Sequence, residues 1–90
     1  MKATWYTKTG EVEDVLNYGE MNAPIPIAGE VSVRIYASGI NPSDVKTRAG
    51  ARGPIAFDKV IPHSDGAGII EAVGEGVDLT RVGERVWIWN

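Results

Sequence analysis

Apolar and polar side chains alternate along several short segments of this chain, and the alternation is strictest over residues 31–37. It places Val31, Val33, Ile35 and Ala37 on one face and Ser32, Arg34 and Tyr36 on the other. Residues 14–18 and 68–73 also have strand patterns, the first ended by Gly19 and the second by a turn at residues 74–76. The opening residues read as a further strand. The pattern therefore predicts a mainly β protein.

One short helix is predicted between the strands. Pro42 suits the first helical position, Asn41 suits the N-cap and Gly50 suits the end, which predicts a helix of barely two turns over Pro42–Ala49. Asp44 stands three residues after Asn41, so its carboxylate can return a hydrogen bond as in a capping box.

Prolines and turn residues define the connections. Two prolines in residues 23–27 remove donors that a sheet needs, which predicts an extended connection, and residues 51–54 read as a loop. Several short strands in a chain of 90 residues indicate one small β-barrel domain.

Composition narrows the class of protein. The apolar fraction is 43%, and no run approaches the roughly 18 apolar residues of a membrane helix. The net charge of -3 argues against a nucleic-acid surface, and we interpret the basic stretch of Lys46, Arg48 and Arg52 as a solvated loop. The chain has no cysteine and hence no disulfide. Because no signal-peptide pattern is present, we expect a cytoplasmic protein.

The strand pattern of residues 86–89 is apolar on both faces and includes Trp87 and Trp89. Such a strand is normally covered on both sides, because two exposed tryptophans would form a patch prone to association. We therefore expect either a truncated parent protein or a missing neighbour.

Two segments concentrate polar groups. Residues 37–46 place Asn41, Ser43, Asp44 and Lys46 at a strand-to-helix turn, a common location for functional side chains. The same residues also suit a purely structural capping role, and the residues by themselves leave both interpretations open.

The second segment contains the consecutive residues His63, Ser64 and Asp65. On an extended chain His63 and Asp65 share a face and Ser64 points away, which argues against a hydrolytic triad. The glycines that follow are not succeeded by a helix, so they suit close packing or a bulge rather than a dinucleotide fingerprint. A single histidine without cysteine argues against an intrinsic zinc site.

Four blocks in the same order resemble the medium-chain dehydrogenase/reductase superfamily, specifically its zinc-free quinone oxidoreductase (zeta-crystallin-like) branch. The blocks are Met1-Lys2-Ala3, residues 33–44, Ile61-Pro62 with Ser64-Asp65-Gly66-Ala67-Gly68, and Val82-Gly83-Glu84-Arg85-Val86. The resemblance covers almost the whole chain. It implies that residues 1–90 form a GroES-like N-terminal catalytic domain, a partly open β-barrel with one or two short helices.

The resemblance also implies the absence of zinc. In the alcohol dehydrogenases of this superfamily, a zinc-binding Cys occupies the position of Asn41 and a zinc-binding His that of Ser64. Neither residue here is a good zinc ligand. His63 lies one position early, and a shift of one residue turns a side chain the other way.

By the same resemblance, the catalytic residues are Asn41, Ser43, Asp44 and Lys46. Asn41 would hydrogen-bond the substrate carbonyl beside the nicotinamide, and Asp44 would orient the site. Ser43 and Lys46 match positions of a proton relay, although close quinone reductases often carry Tyr at the second of them.

The remaining implied contacts concern substrate and cofactor. Ser64 and Asp65 would bind substrate from the opposite wall together with Asn41, and Pro42 and Lys46 would join Asn41 in contacting NADPH. The implied reaction transfers hydride from NADPH to a quinone or an activated enone. NADPH is held mainly by a Rossmann domain that this chain lacks, so we expect the chain alone to be inactive and the full-length enzyme to be a homodimer.

Two alternatives stay open at this point. The same architecture serves as a non-catalytic binding or assembly module in GroES-type co-chaperonins, and a fragment of a zinc alcohol dehydrogenase is the other alternative.

Overall fold

A computed structural model describes residues 1–89. Its elements are β1 (Lys2–Trp5), α1 (Val12–Val15), β2 (Asn17–Glu20), β3 (Val31–Ser38), α2 (Pro42–Ala49), β4 (Asp65–Val73), a 3-10 turn (Leu79–Arg81) and β5 (Arg85–Trp89). The predicted mainly β class with one or two short helices is confirmed, since two helices form. The chain divides into two compact units, the first comprising residues 1–22 and 40–63 and the second residues 23–39 and 64 onward.

The first unit contains a two-stranded antiparallel sheet of β1 and β2, which pair from Lys2 opposite Glu20 to Trp5 opposite Asn17. Directly after β1, Tyr6 exchanges two backbone hydrogen bonds of 2.9 Å with Val60. The Tyr6 side chain is buried there. This bridge ties the segment before residue 63 to the first strand.

The prediction of a strand over residues 14–18 is wrong at its start. A helical turn forms instead, in which the Val15 amide donates to the Glu11 carbonyl at 3.1 Å and the Val15 side chain becomes buried. Gly19 does not end the strand either, because β2 continues through it. A Cβ at Gly19 would meet the Trp5 ring at an ordinary contact distance of 3.5 Å.

The second unit contains a three-stranded antiparallel sheet in the order β3-β4-β5. The strand predicted over residues 31–37 is confirmed, and that predicted over residues 68–73 begins three residues earlier, at Asp65. The register shifts twice between β3 and β4, leaving Tyr36 and Glu71 as extra residues. These bulges interrupt the strict alternation of faces. Ile70 in the central strand is 1% exposed and forms the core of this sheet.

The glycines of β4 occupy positions of close backbone approach. A Cβ at Gly66 would lie 2.7 Å from the Ala37 carbonyl oxygen, and one at Gly68 would overlap the Arg34 carbonyl oxygen. The predicted close-packing role is therefore confirmed, because only glycine lets β3 come so near.

The connections also agree with the sequence. Residues 23–27 form no strand, and residues 51–54 form turns and bends. No helix among residues 1–89 combines the length and apolar character needed to cross a membrane. β5 lies at the edge of its sheet with Trp87 75% and Trp89 79% exposed.

Replacing Ile70 by Ala should lower the free energy of unfolding by about 2–5 kcal/mol, because the substitution leaves a cavity around a fully buried side chain. The matched variant Ile25→Ala, at a position 86% exposed, should change it by less than about 0.5 kcal/mol. Urea denaturation followed by circular dichroism measures both. Equal effects of the two substitutions would contradict the assignment of the core.

The ion pairs of Glu20 should make the stability of the fold depend on pH. Its carboxylate pairs with Lys2 Nζ at 2.9 Å and with the N-terminal ammonium at 3.2 Å. The hydrogen bond from Lys2, aided by the terminal ammonium, holds the pKa of Glu20 below its ordinary value. Since the folded-state pKa is the lower one, the contribution to stability is present above the unfolded-state pKa and is lost as pH falls through the folded-state pKa.

We expect Lys2→Met to raise the pKa of Glu20 towards its ordinary value, since the substitution removes the largest cause of the shift. A titration of side-chain carboxyl carbons by NMR measures this pKa. Lys8→Met removes the same charge elsewhere on the first unit and should leave the pKa of Glu20 unchanged. An unchanged titration in Lys2→Met would refute the assignment of the pair.

Candidate functional site

The polar turn predicted from the sequence is formed at the start of α2. Asn41 is the N-cap residue, Pro42 is the first helical residue, and Gly50 ends the helix with a left-handed φ of 104°. The Gly50 amide donates to the Thr47 carbonyl at 3.2 Å. The helix boundaries and both of its end residues therefore agree with the prediction.

Asn41 and Asp44 are hydrogen-bonded to each other at this turn. The backbone N–H of Asn41 donates to Asp44 Oδ2 at 2.7 Å, and the backbone N–H of Asp44 donates to the Asn41 carbonyl at 3.0 Å. Both side chains are half-buried, and the Asn41 side chain also accepts from the Asp44 backbone N–H, which completes the predicted capping box. Asp44 thus fixes the backbone that carries the Asn41 amide.

Pro42, Ser43 and Lys46 lie on the exposed part of α2. Ser43 and Lys46 are three residues apart, a spacing that places side chains on one helix face. The hydroxyl and the ammonium are therefore both open to solvent on the same helix. Their proton-relay role stays a prediction.

Arg48 anchors α2 within the first unit, a contact that sequence reasoning missed. Its guanidinium donates to the Gly10 carbonyl at 2.6 Å, and the Gly10 amide donates to the Arg48 carbonyl at 2.9 Å. The interpretation of this basic stretch as a solvated loop is wrong for Lys46 and Arg48, which are helical. Only Arg52 lies in the exposed turn that follows.

Ser64 and Asp65 belong to the second unit. Ser64 is exposed just before β4, and Asp65 is the half-buried first residue of that strand. The Asp65 carbonyl accepts a hydrogen bond from the Gly39 amide at 3.0 Å. A Cβ at Gly39 would overlap the Asp65 carboxylate and lie 2.8 Å from its Cγ, so this side chain rests directly on the Gly39 backbone.

The expected orientation of His63 is wrong. His63 has a φ of 85°, in the left-handed region, so the chain is not extended there and the alternation between His63 and Asp65 does not hold. A non-glycine residue in this region is uncommon and marks a constrained backbone. The constraint stands directly before the pair of predicted substrate-binding residues.

The predicted site residues thus fall into two groups. Asn41, Pro42, Ser43, Asp44 and Lys46 lie at α2 in the first unit, and Ser64 and Asp65 lie at the start of β4 in the second. Their joint role in binding and catalysis stays a prediction.

Hydrogen bonds elsewhere in the second unit shift three pKa values. Hydrogen bonds from Arg81 lower the pKa of Glu84, and the same pair raises that of Arg81. The backbone amide and hydroxyl of Thr80 lower the pKa of Asp78. These are exposed pairs around the 3-10 turn and lie outside the predicted site.

Metal ligands are also sparse around the predicted site. Among residues 1–89, no three His, Cys, Asp or Glu side chains cluster closely enough to hold a metal ion. The amide of Asn41 and the hydroxyl of Ser64 are weak ligands for zinc.

Comparison with known proteins identifies related chains. The profile of the family described as alcohol dehydrogenase GroES-like domain matches residues 27–90. The quinone oxidoreductase of Sus scrofa is 34% identical over 87 residues, a match that covers 97% of this chain and 26% of the pig protein.

Two solved structures are similar along nearly the whole chain. Escherichia coli quinone oxidoreductase complexed with NADPH matches with a TM-score of 0.81 at 31% identity, covering 97% of this chain and 26% of that one. The cobalt- and zinc-bound thermostable alcohol dehydrogenase of Pyrobaculum aerophilum matches with a TM-score of 0.77 at 33% identity, covering 97% and 25%. The chain spans between 16% and 27% of the length of the curated relatives it matches.

The contact between Gly39 and Asp65 generates a prediction. Gly39→Ala should lower the free energy of unfolding by about 1–3 kcal/mol, because the new methyl group displaces the Asp65 carboxylate. Gly19→Ala is the matched control, since its Cβ would meet the Trp5 ring at an ordinary contact distance. Chemical denaturation measures the stabilities, and the Asp65 amide resonance reports the displacement. A Gly39→Ala protein as stable as the control, with an unmoved Asp65 resonance, would refute the contact.

Proposed function

The chain belongs to the alcohol dehydrogenase GroES-like domain family of the medium-chain dehydrogenase/reductase superfamily, and from that membership we propose that it is the substrate-facing N-terminal domain of a zinc-independent, NADPH-dependent quinone oxidoreductase. The parent enzyme transfers hydride to a quinone or an activated enone in the cytoplasm and acts as a homodimer. The observation that carries the proposal is an amide, Asn41, held by a capping box at the start of α2 in a chain that matches a quinone oxidoreductase over 97% of its length.

Asn41 acts on the acceptor carbonyl in this proposal. Its side-chain nitrogen bears N–H donors that a substrate oxygen can accept, and such donors stabilise the negative charge that develops there during reduction. Asp44 acts as a positioning residue, since its carboxylate holds the Asn41 backbone at 2.7 Å. The half-buried setting of both residues strengthens these interactions relative to water.

In this proposal, Ser43 and Lys46 deliver the proton to the reduced substrate. The Lys46 ammonium carries a proton that can pass to the reduced oxygen, with the Ser43 hydroxyl as the intermediate group on the same helix face. Lys46 stands where many quinone reductases carry Tyr. In this proposal, Ser64 and Asp65 contact the substrate.

The residues of this chain suit only a small part of a cofactor-binding site. Gly66 and Gly68 lie within β4 against carbonyl oxygens of β3, so they form no cradle for phosphates. Asn41, Pro42 and Lys46 at α2 offer an amide, a ring face and an ammonium to the part of NADPH that approaches the substrate. When bound, NADPH supplies the hydride. We propose that a Rossmann domain of the parent holds the rest of the cofactor, and that the 90-residue chain alone has no activity.

The decisive substitution is Asn41→Ser in the parent protein. Serine caps a helix about as well as asparagine but lacks the amide donors, so the free energy of unfolding should change by less than about 0.5 kcal/mol. We expect kcat/KM for quinone reduction to fall by about 100-fold, the effect of removing one donor to a developing oxyanion. NADPH oxidation, followed by absorbance, measures the rate.

Asn22→Ser, in the exposed segment after β2, is the matched control and should retain full activity. Undiminished turnover by Asn41→Ser would refute the role of the amide. Absence of NADPH oxidation by the parent across quinones and enones would overturn the proposed reaction. Stoichiometric zinc in the purified parent would favour an alcohol dehydrogenase, the class to which one of the similar structures belongs.

A further inference from the structure

An open cleft of about 530 Å³ lies on one face of the three-stranded sheet in the second unit. Tyr36 and Trp87 form its walls, and β4 between them contributes the floor, Ala67, Gly68 and Ile69. We call this feature the aromatic cleft. None of its residues takes part in the proposed hydride transfer.

The strand register explains how the cleft forms. Trp87 lies opposite Ala67 across the β4–β5 pair, and Tyr36 is the bulged residue of β3 immediately before the residue that pairs with Ala67. Neighbouring strands are about 4.8 Å apart, so β3 and β5 are separated by roughly 10 Å. Because Ala67, the floor residue opposite Trp87, has only a methyl side chain, one flat ring has room between the two aromatic walls.

Positive charge flanks this slot. Arg34 and Arg85 both lie opposite Ile69, on either side of β4, and Arg85 lines the cleft. The Arg34 guanidinium lies 5.7 Å from the centroid of the Tyr36 ring. Both cations therefore stand in the cross-strand row next to the aromatic walls.

Neither cation is held in an ion pair within the described part of the chain. Glu84, which precedes Arg85, binds Arg81 through two hydrogen bonds of 2.8 and 3.1 Å. Among residues 1–89, the ion pairs join Arg81, Lys2 and the N-terminus to glutamates, and none of them includes Arg34 or Arg85.

We infer that the aromatic cleft binds a planar aromatic anion, with its ring between Tyr36 and Trp87 and its anionic group at Arg85. Stacking on two aromatic faces favours a flat ring, and a guanidinium pairs well with a carboxylate. An aromatic cage without arginines would select a cation, but two guanidiniums repel one here. The volume lies within the usual range of small-molecule sites, about 300–1,000 Å³.

The test is a titration of the ¹⁵N-labelled chain with 2-naphthoate, followed by two-dimensional NMR. We expect saturable shifts centred on the amides of residues 67–69 and 85–87 and on the Trp87 indole N–H. The cation 2-naphthylmethylammonium, with the same ring, and cyclohexanecarboxylate, without a flat ring, should each bind at least about fivefold more weakly. This comparison uses the unaltered chain and so does not depend on any variant folding.

Two variants complete the test. Arg85→Gln should weaken 2-naphthoate binding by about tenfold, since it removes a charged hydrogen-bond donor, and Trp87→Leu by about fivefold or more, since it removes a stacking face. Arg52→Gln changes the net charge equally on an exposed turn of the first unit and should bind normally. Shifts outside the aromatic cleft, equal affinity for the cation, or unchanged binding by a folded Arg85→Gln chain would each overturn the proposal.

Discussion

The close approach of β3 to β4 is the constraint on which the second unit depends. At Gly66 and Gly68 the carbonyl oxygens of β3 occupy the space where a Cβ would stand, so these positions require glycine. The register shift between these strands leaves Tyr36 as an extra residue and turns it towards the face that carries Trp87. One packing requirement in β4 therefore fixes the course of β3 and, with it, the position of an aromatic side chain.

The ends of β3 and β4 adjoin the predicted substrate-binding residues. Gly39 follows β3 directly, donates its amide to the Asp65 carbonyl, and supports the Asp65 carboxylate on its backbone. The residue before Ser64 has a left-handed backbone, although it is a histidine. A strained residue and a glycine without space for a methyl group thus adjoin the predicted substrate-binding residues. A left-handed backbone at a histidine costs free energy, and such strain clusters at functional sites.

Elements determined by residues close in sequence were predictable, and elements determined by distant contacts were not. The bounds of α2 were predictable because proline, an asparagine cap and a glycine end act within a few residues. The turn α1 was missed because its N-cap residue, Glu11, forms no side-chain cap and because the turn forms together with the burial of Val15. The φ of His63 was equally unpredictable, since only the surrounding chain can hold a histidine in that region. The family was recognisable because four blocks occur in the same order.

The choice of residue at the helix cap links structure to the proposed chemistry. Aspartate, serine and asparagine all cap helices well, so capping alone does not require an amide at position 41. An aspartate would place a second carboxylate beside Asp44, whose oxygen lies 2.7 Å from the Asn41 backbone nitrogen, and would repel the negative charge that develops on a reduced carbonyl. A serine hydroxyl could accept from the helix and donate one hydrogen bond, but it lacks the two N–H donors that an amide holds in a fixed plane. Asparagine provides an uncharged acceptor for the cap and separate N–H donors for a substrate on one rigid group. The structural and catalytic interpretations of Asn41 are therefore compatible, because they use different atoms of the same side chain.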